Sequence, residues 1–316
     1  MCEEFSYFAM IKRASKICGF LNVNKPPGIT SHGVVSRVRD LFPKGSLKVG
    51  HTGTLDPLAT GVLLLCLGDA TKLAPFFIRK DKSYQGLMKF GVSTDTFDSM
   101  GKVTNERPVS FTEEDLDAAM SKYRGKIKQK IPVFSAARMG GERLYAKARR
   151  GEQVKILPEK EIEIKRLEKK LLDLSPDKNE AVLDVKCTSG TYIRALMNDI
   201  GEDLGCGAHM TGLIRSSVGD FLLKDAVELD SLKGAKQIEK SFVSVEDAFA
   251  ETPKAVLSPL EAKQMRNKGK VELHEDFARV AEPYVRIYCT TGDFVGVGSV
   301  AVKRNHCSIT KICFPK

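Results

Sequence analysis

The feature that most constrains this chain is a glycine-rich segment, residues 50–61, that carries a single acid, Asp56. The neighbours of Asp56 are mostly small, hydroxylated or apolar, and Pro57 follows it directly. Each glycine destabilises a helix or strand by about 0.5–1 kcal/mol, and the residue before a proline is disfavoured in the helical region. The segment therefore predicts a shaped loop, and the apolar residues 62–68 predict a buried strand or the start of a core segment after it.

A carboxylate on a rigid loop beside apolar residues has the layout of a catalytic nucleophile or acid/base group. Loss of solvent is what tunes the pKa of such a group. The other interpretation is a turn residue that caps the next segment, since an acid before a proline in a glycine-rich loop is typical of turns. The loop by itself leaves both interpretations open.

The sequence around this loop resembles a known signature. The string GHTGTLDPLATGVLLLCLGDATK is similar to that of the TruB family of tRNA pseudouridine synthases, in which the acid of GTLDPLATG is catalytic. The resemblance implies that Asp56 is catalytic and that a uridine in the T-loop of tRNA, at position 55, becomes pseudouridine. It also implies an α+β catalytic domain on a mixed, mainly antiparallel sheet. Because this isomerisation needs no redox or energy input, we expect neither a metal nor another cofactor.

The same resemblance assigns two basic residues to substrate binding. The segment NKPPGITSH resembles the family motif DKPxGxTS, with Asn24 where an acid is usual. In the family this element supports the catalytic loop, which implies that Lys25 lies near it. His51 corresponds to a histidine that lies against the RNA and helps to position the flipped nucleotide. From the residues alone, a solvated lysine in a turn and a packed scaffold histidine are the alternatives.

A half-buried strand is predicted where SYQGLMKFGVSTDTFDSMG alternates apolar and polar side chains before a turn. The string resembles the family pattern KxYxxxxxxGxxTDTxDxxG, which implies that Tyr84 is catalytic. A phenol can stack on a uracil face and can exchange a proton at C5. The hydroxyl and acid groups of residues 94–98 predict a turn network that bonds to the backbone, rather than a metal site.

Capping residues predict where two helices begin. Thr30 or Ser31 precedes one amphipathic pattern, and Thr112 with Asp115 forms a capping box before another.

A basic stretch with interleaved aromatic residues, about 126–155, is suited to gripping phosphates while stacking unpaired bases. A solvated basic face is the alternative. The stretch resembles the family insertion QxPPxxSAxKxxGxxLYxxARxG, which distinguishes tRNA-modifying members from the guide-dependent dyskerin branch. It implies that Arg138 and Tyr145 bind substrate and that no guide RNA is needed. Ile131 replaces the first proline of that pattern, and Arg138 replaces its lysine.

The string TSGTYIRALMNDIG predicts a helix that begins near Tyr192. Arg194 near its start is disfavoured by the helix dipole, so its charge needs another reason. In the family this arginine pairs with the catalytic acid, which implies a bidentate contact between Arg194 and Asp56. The resemblance also implies that Tyr192 and Leu213 line the pocket and that Arg215 reaches either RNA or the scaffold.

Three domain-level segments are predicted. Residues 1–18 show no clear period and are interpreted as an extension, and residues 19–240 form the catalytic domain. Residues 241–316 alternate through short strands and resemble a small PUA-like β-barrel, which implies RNA binding; a purely structural module is the alternative.

The charge of the chain agrees with an RNA partner, and its cysteine usage indicates the redox compartment. The net charge is +10 and the sequence pI is about 9.1, as expected for a protein that meets phosphate backbones. The eight cysteines include no CxxC pair, which favours free thiols in a reducing compartment over zinc binding. No apolar run is long enough to span a membrane, so we expect no membrane contacts. We also expect a cytoplasmic, monomeric protein.

Three competing functions share some of these features. A guide-dependent synthase has the same acid loop, although the insertion argues against it. A glycoside hydrolase normally brings two carboxylates to one bond, and only one lies in a motif here. A non-catalytic RNA-binding protein has the same charge but no requirement for Asp56, Tyr84 and Arg194 together.

Overall fold

A computed structural model describes residues 17–135, 137–150, 152, 157–273, 283–303 and 306–313. The chain forms two compact units: Met1–Leu55, Leu63–Ile78 and Lys224–Lys316 make the first, and Asp56–Val62 and Arg79–Leu223 make the second. Most of the extension predicted for residues 1–18 lies outside the described residues. The boundaries drawn after residues 18 and 240 stay predictions.

The first unit contains a sheet built around strand β1 (Gly19–Lys25), which lies between β14 (Val227–Glu228) and β3 (Thr60–Leu67). Strand β14 pairs with β1 in parallel, whereas β15 pairs with β1 and β2 pairs with β3 in antiparallel fashion. These strands are β1 (Gly19–Lys25), β2 (Val49–His51), β3 (Thr60–Leu67), β14 (Val227–Glu228) and β15 (Phe242–Ser244). The predicted buried strand is confirmed as β3.

The first unit also contains α-helices. They are α1 (Ser31–Arg39), α2 (Ala74–Arg79, whose last residue belongs to the second unit), α6 (Ala235–Ser241), α7 (Val245–Ala248) and α8 (Pro259–Lys268). The N-cap of α1 is Thr30, whose side chain accepts the Gly33 N–H at 2.9 Å, so the predicted helix start is confirmed. Its buried face, which includes Val34 and Val38, packs in one core with the apolar side chains of β1 and β3.

A second, five-stranded sheet of the first unit is formed by the C-terminal part of the chain, in the order β16, β18, β19, β20, β17. All its pairings are antiparallel except that of β16 with β18. Its strands are β16 (Lys254–Leu257), β17 (Lys270–Leu273), β18 (Tyr284–Cys289), β19 (Phe294–Lys303) and β20 (His306–Cys313). The sheet has its own apolar core, which agrees with the predicted small PUA-like β domain.

The second unit is organised on antiparallel strands, which follow in this order: β12 (Ala208–Val218), β4 (Lys82–Phe90), β11 (Glu180–Cys187), β10 (Glu159–Asp173) and β7 (Gly125–Lys130). The first residues of β3 add a parallel pairing to β12, with Gly61 opposite Arg215. Gly61 has φ +103°, and a Cβ there would lie 2.3 Å from the Arg215 carbonyl oxygen, so only glycine fits this approach. The sheet is mixed and mainly antiparallel, and the predicted α+β fold is confirmed.

The strands and helices of the second unit have these bounds: β4 (Lys82–Phe90), β5 (Val92–Thr94), β6 (Val103–Glu106), α3 (Glu113–Ser121), β7 (Gly125–Lys130), β8 (Arg138–Met139), β9 (Glu142–Arg143), α4 (Leu144–Arg149), β10 (Glu159–Asp173), β11 (Glu180–Cys187), α5 (Ile193–Asp203), β12 (Ala208–Val218) and β13 (Phe221–Leu222). The predicted capping box of Thr112 and Asp115 is present at α3. No helix in the described part of the chain is long and apolar enough to cross a membrane.

Candidate active site

Asp56 lies at the tip of a loop whose backbone is fixed on both sides. Before it, the Ser31 hydroxyl binds both backbone groups of Leu55, accepting the N–H at 2.8 Å and donating to the carbonyl at 3.0 Å. After it, the Ala59 N–H donates to the Asp56 carbonyl at 3.1 Å and closes a turn. The Asp56 side chain is 34% exposed, so its carboxylate is both supported and reachable from solvent.

Arg194, the second residue of α5, points its guanidinium at this loop. The Nε atom lies 3.8 Å from Oδ2 of Asp56, while the side chain is only 7% exposed. Nη1 donates to the Thr96 carbonyl at 3.2 Å and to Oδ2 of Asp98 at 3.3 Å, and Nη2 donates to the Phe134 carbonyl. The structure therefore brings Asp56 and Arg194 together, as the family resemblance implied.

The contact is not the bidentate one that was expected, because the two Nη groups are taken by Asp98 and by main-chain carbonyls. A separation of 3.8 Å is an ion pair without a hydrogen bond. Within the described residues, Nε of Arg194 is buried and has no hydrogen-bond partner. The carboxylate of Asp56 thus has a positive charge beside it to which, among the described residues, it is not hydrogen bonded.

Asp98 is a part of this site that the sequence did not reveal. Its carboxylate accepts the Thr96 hydroxyl at 2.7 Å and the Met100 N–H at 3.0 Å, which is the turn network predicted for this segment. The same buried carboxylate also forms the ion pair with Arg194. The string TDTFD does contain a signal, because an acid that becomes buried needs a cation beside it. The sequence does not show which cation, since Arg194 lies 96 positions away from Asp98.

Tyr84 lies on β4 opposite Arg215 of β12, and Arg215 hydrogen bonds to its phenol. Burial raises the pKa of Tyr84 above its ordinary value, although the positive charge of Arg215 opposes that rise; Asp56 also contributes to the increase. Arg215 itself is only 2% exposed, and its Nε donates to the Val62 carbonyl at 2.7 Å. This placement favours the scaffold role over direct contact of the Arg215 side chain with RNA.

Tyr192 and Leu213 belong to the same unit as Asp56. Tyr192 is the N-cap residue of α5, and the buried amide of Gln129 holds it by accepting its N–H at 2.8 Å and donating to its carbonyl at 3.0 Å. Leu213 is buried opposite Gly86 of β4. Gln129 was not foreseen, because a glutamine in a lysine-rich strand carries no sequence signal for a long-range backbone clamp.

Lys25 and His51 belong to the first unit. Lys25 ends β1 with a fully buried side chain, and its ammonium donates to the Pro26 carbonyl at 2.8 Å, so it is not the solvated lysine of the alternative interpretation. Nδ1 of His51 accepts the Gly53 N–H at 3.2 Å. Their assignment to substrate binding stays a prediction.

The basic stretch presents arginines around one aromatic ring. The guanidinium carbons of Arg143 and Arg149 lie 5.9 Å and 5.6 Å from the centroid of the Tyr145 ring. The Tyr145 N–H is anchored on the Ser135 carbonyl at 3.0 Å, and Arg138 is exposed on β8. The pattern is typical of surfaces that combine phosphate contacts with base stacking. Across the described residues, no group of three or more His, Cys, Asp or Glu side chains could hold a metal ion.

Comparison with solved structures first defines the class of fold. The chain matches the crystal structure of a Cbf5-Nop10-Gar1 complex with a TM-score of 0.68 at 22% identity, covering 93% of this chain and 81% of the other. It matches an archaeal box H/ACA sRNP Nop10-Cbf5 complex with a TM-score of 0.67 at 22% identity, covering 96% and 88%. At these identities the likeness shows the fold alone.

Sequence comparison then gives the family. The model for the N-terminal domain of TruB family pseudouridylate synthases matches residues 39–193, and that for the C-terminal domain of tRNA pseudouridylate synthase B matches residues 194–263. The tRNA pseudouridine synthase B of Caldanaerobacter subterraneus subsp. tengcongensis is 40% identical over 89% of this chain and 94% of that relative. Those of Stutzerimonas stutzeri (39%; 93% and 95%) and Clostridioides difficile (37%; 92% and 96%) are similar. The chain belongs to the TruB family and is a pseudouridine synthase, an isomerase.

Proposed function

We propose that this protein converts uridine 55 in the T-loop of tRNA to pseudouridine, with Asp56 as the catalytic residue. The relatives of similar length are tRNA pseudouridine synthases B, which supports tRNA as the substrate class. The observation that carries the assignment of Asp56 is its position on a braced loop, partly exposed, with the buried charge of Arg194 at 3.8 Å.

The reaction cleaves the bond between N1 and C1′, rotates the retained uracil and forms a bond between C5 and C1′. The proton leaves C5 and N1 gains one, so the product is an isomer. A uridine in the folded T-loop is inaccessible to a side chain, and the base must first be flipped out of the stack. Asp56 then acts either on C1′ or by removing the proton at C2′.

Arg194 places a buried positive charge beside the carboxylate of Asp56. Three neighbours fix the guanidinium: the Thr96 and Phe134 carbonyls and the carboxylate of Asp98. Because these contacts occupy the Nη groups, only the Nε edge faces Asp56. A carboxylate that is attracted but not hydrogen bonded remains free to attack or to take a proton.

Tyr84 works as a neutral phenol. Its pKa is raised by burial, so it stays protonated around neutral pH. A neutral phenol stacks on the uracil face and donates a hydrogen bond or a proton; it is a weak base. Tyr84 thus contacts the flipped uracil, whereas Asp56 acts on the ribose.

Recognition of the T-arm falls to the basic stretch and the C-terminal β domain. The arginines around Tyr145 supply cations and a stacking surface in one place, and binding by such residues weakens as salt rises. On this proposal the protein acts as a monomer, without a guide RNA, in the cytoplasm where tRNA is found.

The test is to incubate the purified protein with an unmodified tRNA transcript, without guide RNA, metal or nucleotide, and to map pseudouridine by carbodiimide labelling and primer extension. A transcript with cytidine at position 55 is the matched control. We expect one stop, one nucleotide 3′ of position 55, that is absent from the control and from Asp56→Ala. Modification at another position would overturn the site, and tight tRNA binding without any modification would overturn the activity on this substrate.

A further inference from the structure

Two cysteines that are far apart in the sequence meet in the first unit. Sγ of Cys18 lies 3.3 Å from Sγ of Cys313, although 295 positions separate them. Cys18 directly precedes β1, and Cys313 is the last residue of β20. Both are free thiols. Their sulfur atoms are about 1.2 Å further apart than in a disulfide bond.

The segment that carries Cys18 is held in place. The Ile17 carbonyl runs so close to Gly68 that a Cβ at residue 68 would lie 2.1 Å from it. The Ala70 N–H, in the 3₁₀ helix Gly68–Leu73, donates to the Cys18 sulfur. The pairing of the two thiols is therefore part of a packed arrangement and not a chance approach of two exposed side chains.

The two thiols have unequal environments. Cys313 is buried, whereas Cys18 is half-buried. The hydrogen bond from Cys313 lowers the pKa of Cys18, and burial works against this decrease. The pKa of Cys313 is raised, first by its hydrogen bond with Cys18 and then by burial. Cys18 is thus the more accessible sulfur and the better nucleophile, and Cys313 is placed beside it.

We propose that Cys18 and Cys313 form a reversible disulfide bond on exposure to a peroxide, and that this bond ties the last strand of the C-terminal sheet to the segment entering β1. The Cys18 thiolate attacks a peroxide oxygen and becomes a sulfenic acid, releasing hydroxide or an alkoxide. The Cys313 sulfur then attacks the Cys18 sulfur, the bond between the two sulfurs forms, and the hydroxyl leaves as water. The two thiols lose two electrons and two protons, and hydrogen peroxide is reduced to two waters.

The test treats the reduced full-length protein with hydrogen peroxide and analyses a tryptic digest by mass spectrometry without reductant. Trypsin cleaves after Lys16 and Lys311, so Cys18 and Cys313 fall in peptides that contain no other cysteine. We expect one linked pair, residues 17–37 with 312–316, that disappears with dithiothreitol and in Cys18→Ser and Cys313→Ser. Cys289→Ser is the matched control and should keep it. Oxidation of either cysteine without that link, or no oxidation of the pair while Cys289 reacts, would overturn the proposal.

A second readout, the melting temperature, tests whether the bond ties the two segments together. Because the bond closes a loop of nearly the whole chain, the oxidised wild type should melt about 5 °C above the reduced protein. Cys18→Ser should show the same Tm before and after peroxide. A disulfide-linked protein with an unchanged Tm would contradict the proposal that the bond ties the last strand to the segment entering β1.

Discussion

Two arginines are buried in the second unit, and they are held in different ways. Arg194 lies between the carboxylates of Asp56 and Asp98. Arg215 donates to the Val62 carbonyl and to the phenol of Tyr84. Both are nearly inaccessible, so burial does not distinguish them. The chemistry of their partners does. Arg194 lies beside a partly exposed carboxylate, whereas Arg215 hydrogen bonds to a main-chain carbonyl and to a tyrosine.

Of the substitutions that test this comparison, removal of the Arg194 guanidinium should have the largest effect. Arg194→Ala leaves Asp98 buried without its cation, which destabilises by about 3–5 kcal/mol. We expect the single-turnover rate of pseudouridine formation to fall by about 10³-fold. Arg194→Lys keeps the charge but not the planar fork, and should recover stability better than rate. The exposed pair of Arg37 with Asp230 offers the control, since Arg37→Ala should change stability by less than about 1 kcal/mol. If Arg194→Ala kept the wild-type rate, the contrast drawn between Arg194 and Arg215 would be wrong.

Asp98→Asn should come next. It keeps the shape of the side chain and removes the charge that fixes Arg194, so we expect a rate loss of about 10–100-fold and a stability loss of about 1–3 kcal/mol. Single-turnover kinetics and urea unfolding measure the two effects. If Asp98 is only a turn residue, the stability will fall while the rate at saturating tRNA remains that of the wild type.

Arg215→Met should affect stability more than chemistry. The substitution leaves the Val62 carbonyl without its described donor and should cost about 1–3 kcal/mol. It also removes the positive charge that opposes the rise in the pKa of Tyr84, so that pKa should move further upward in a spectrophotometric titration. The rate should fall less than in Arg194→Ala. A selective loss of tRNA affinity with unchanged stability would instead support a direct RNA contact.

The smallest effect is one of pH. Since burial raises the pKa of Tyr84 above its ordinary value of about 10, the phenol stays protonated through the neutral range. The single-turnover rate should therefore show no decrease from Tyr84 ionisation between about pH 7 and pH 9. A decrease in that window that vanishes in Tyr84→Phe would contradict the raised pKa.

Local features of this fold follow from the sequence because their causes are local. Thr30 caps α1 and Thr112 caps α3 through atoms three residues away. The buried strand β3 follows from a continuous apolar run. The loop of Asp56 follows from its glycines and proline.

The remainder of the site depends on contacts between distant segments. Asp98 bonds within its own turn, and this explains why it resembled a capping residue; its second role exists only where α5 brings Arg194 to it. Gln129 clamps Tyr192 from another strand. The meeting of Asp56 with Arg194 was anticipated from the family resemblance, and the residues alone gave only the observation that Arg194 is poorly placed for the helix dipole.

The most direct test of the central claim, that Asp56 performs the chemistry, is a single-turnover assay with a tRNA transcript carrying tritium at C5 of its uridines. Formation of the new bond at C5 releases that tritium to water. Wild type should release the equivalent of one uridine per tRNA, and Asp56→Asn should bind the transcript with unchanged affinity and release none above background. Release from Asp56→Asn at the wild-type rate would contradict the account.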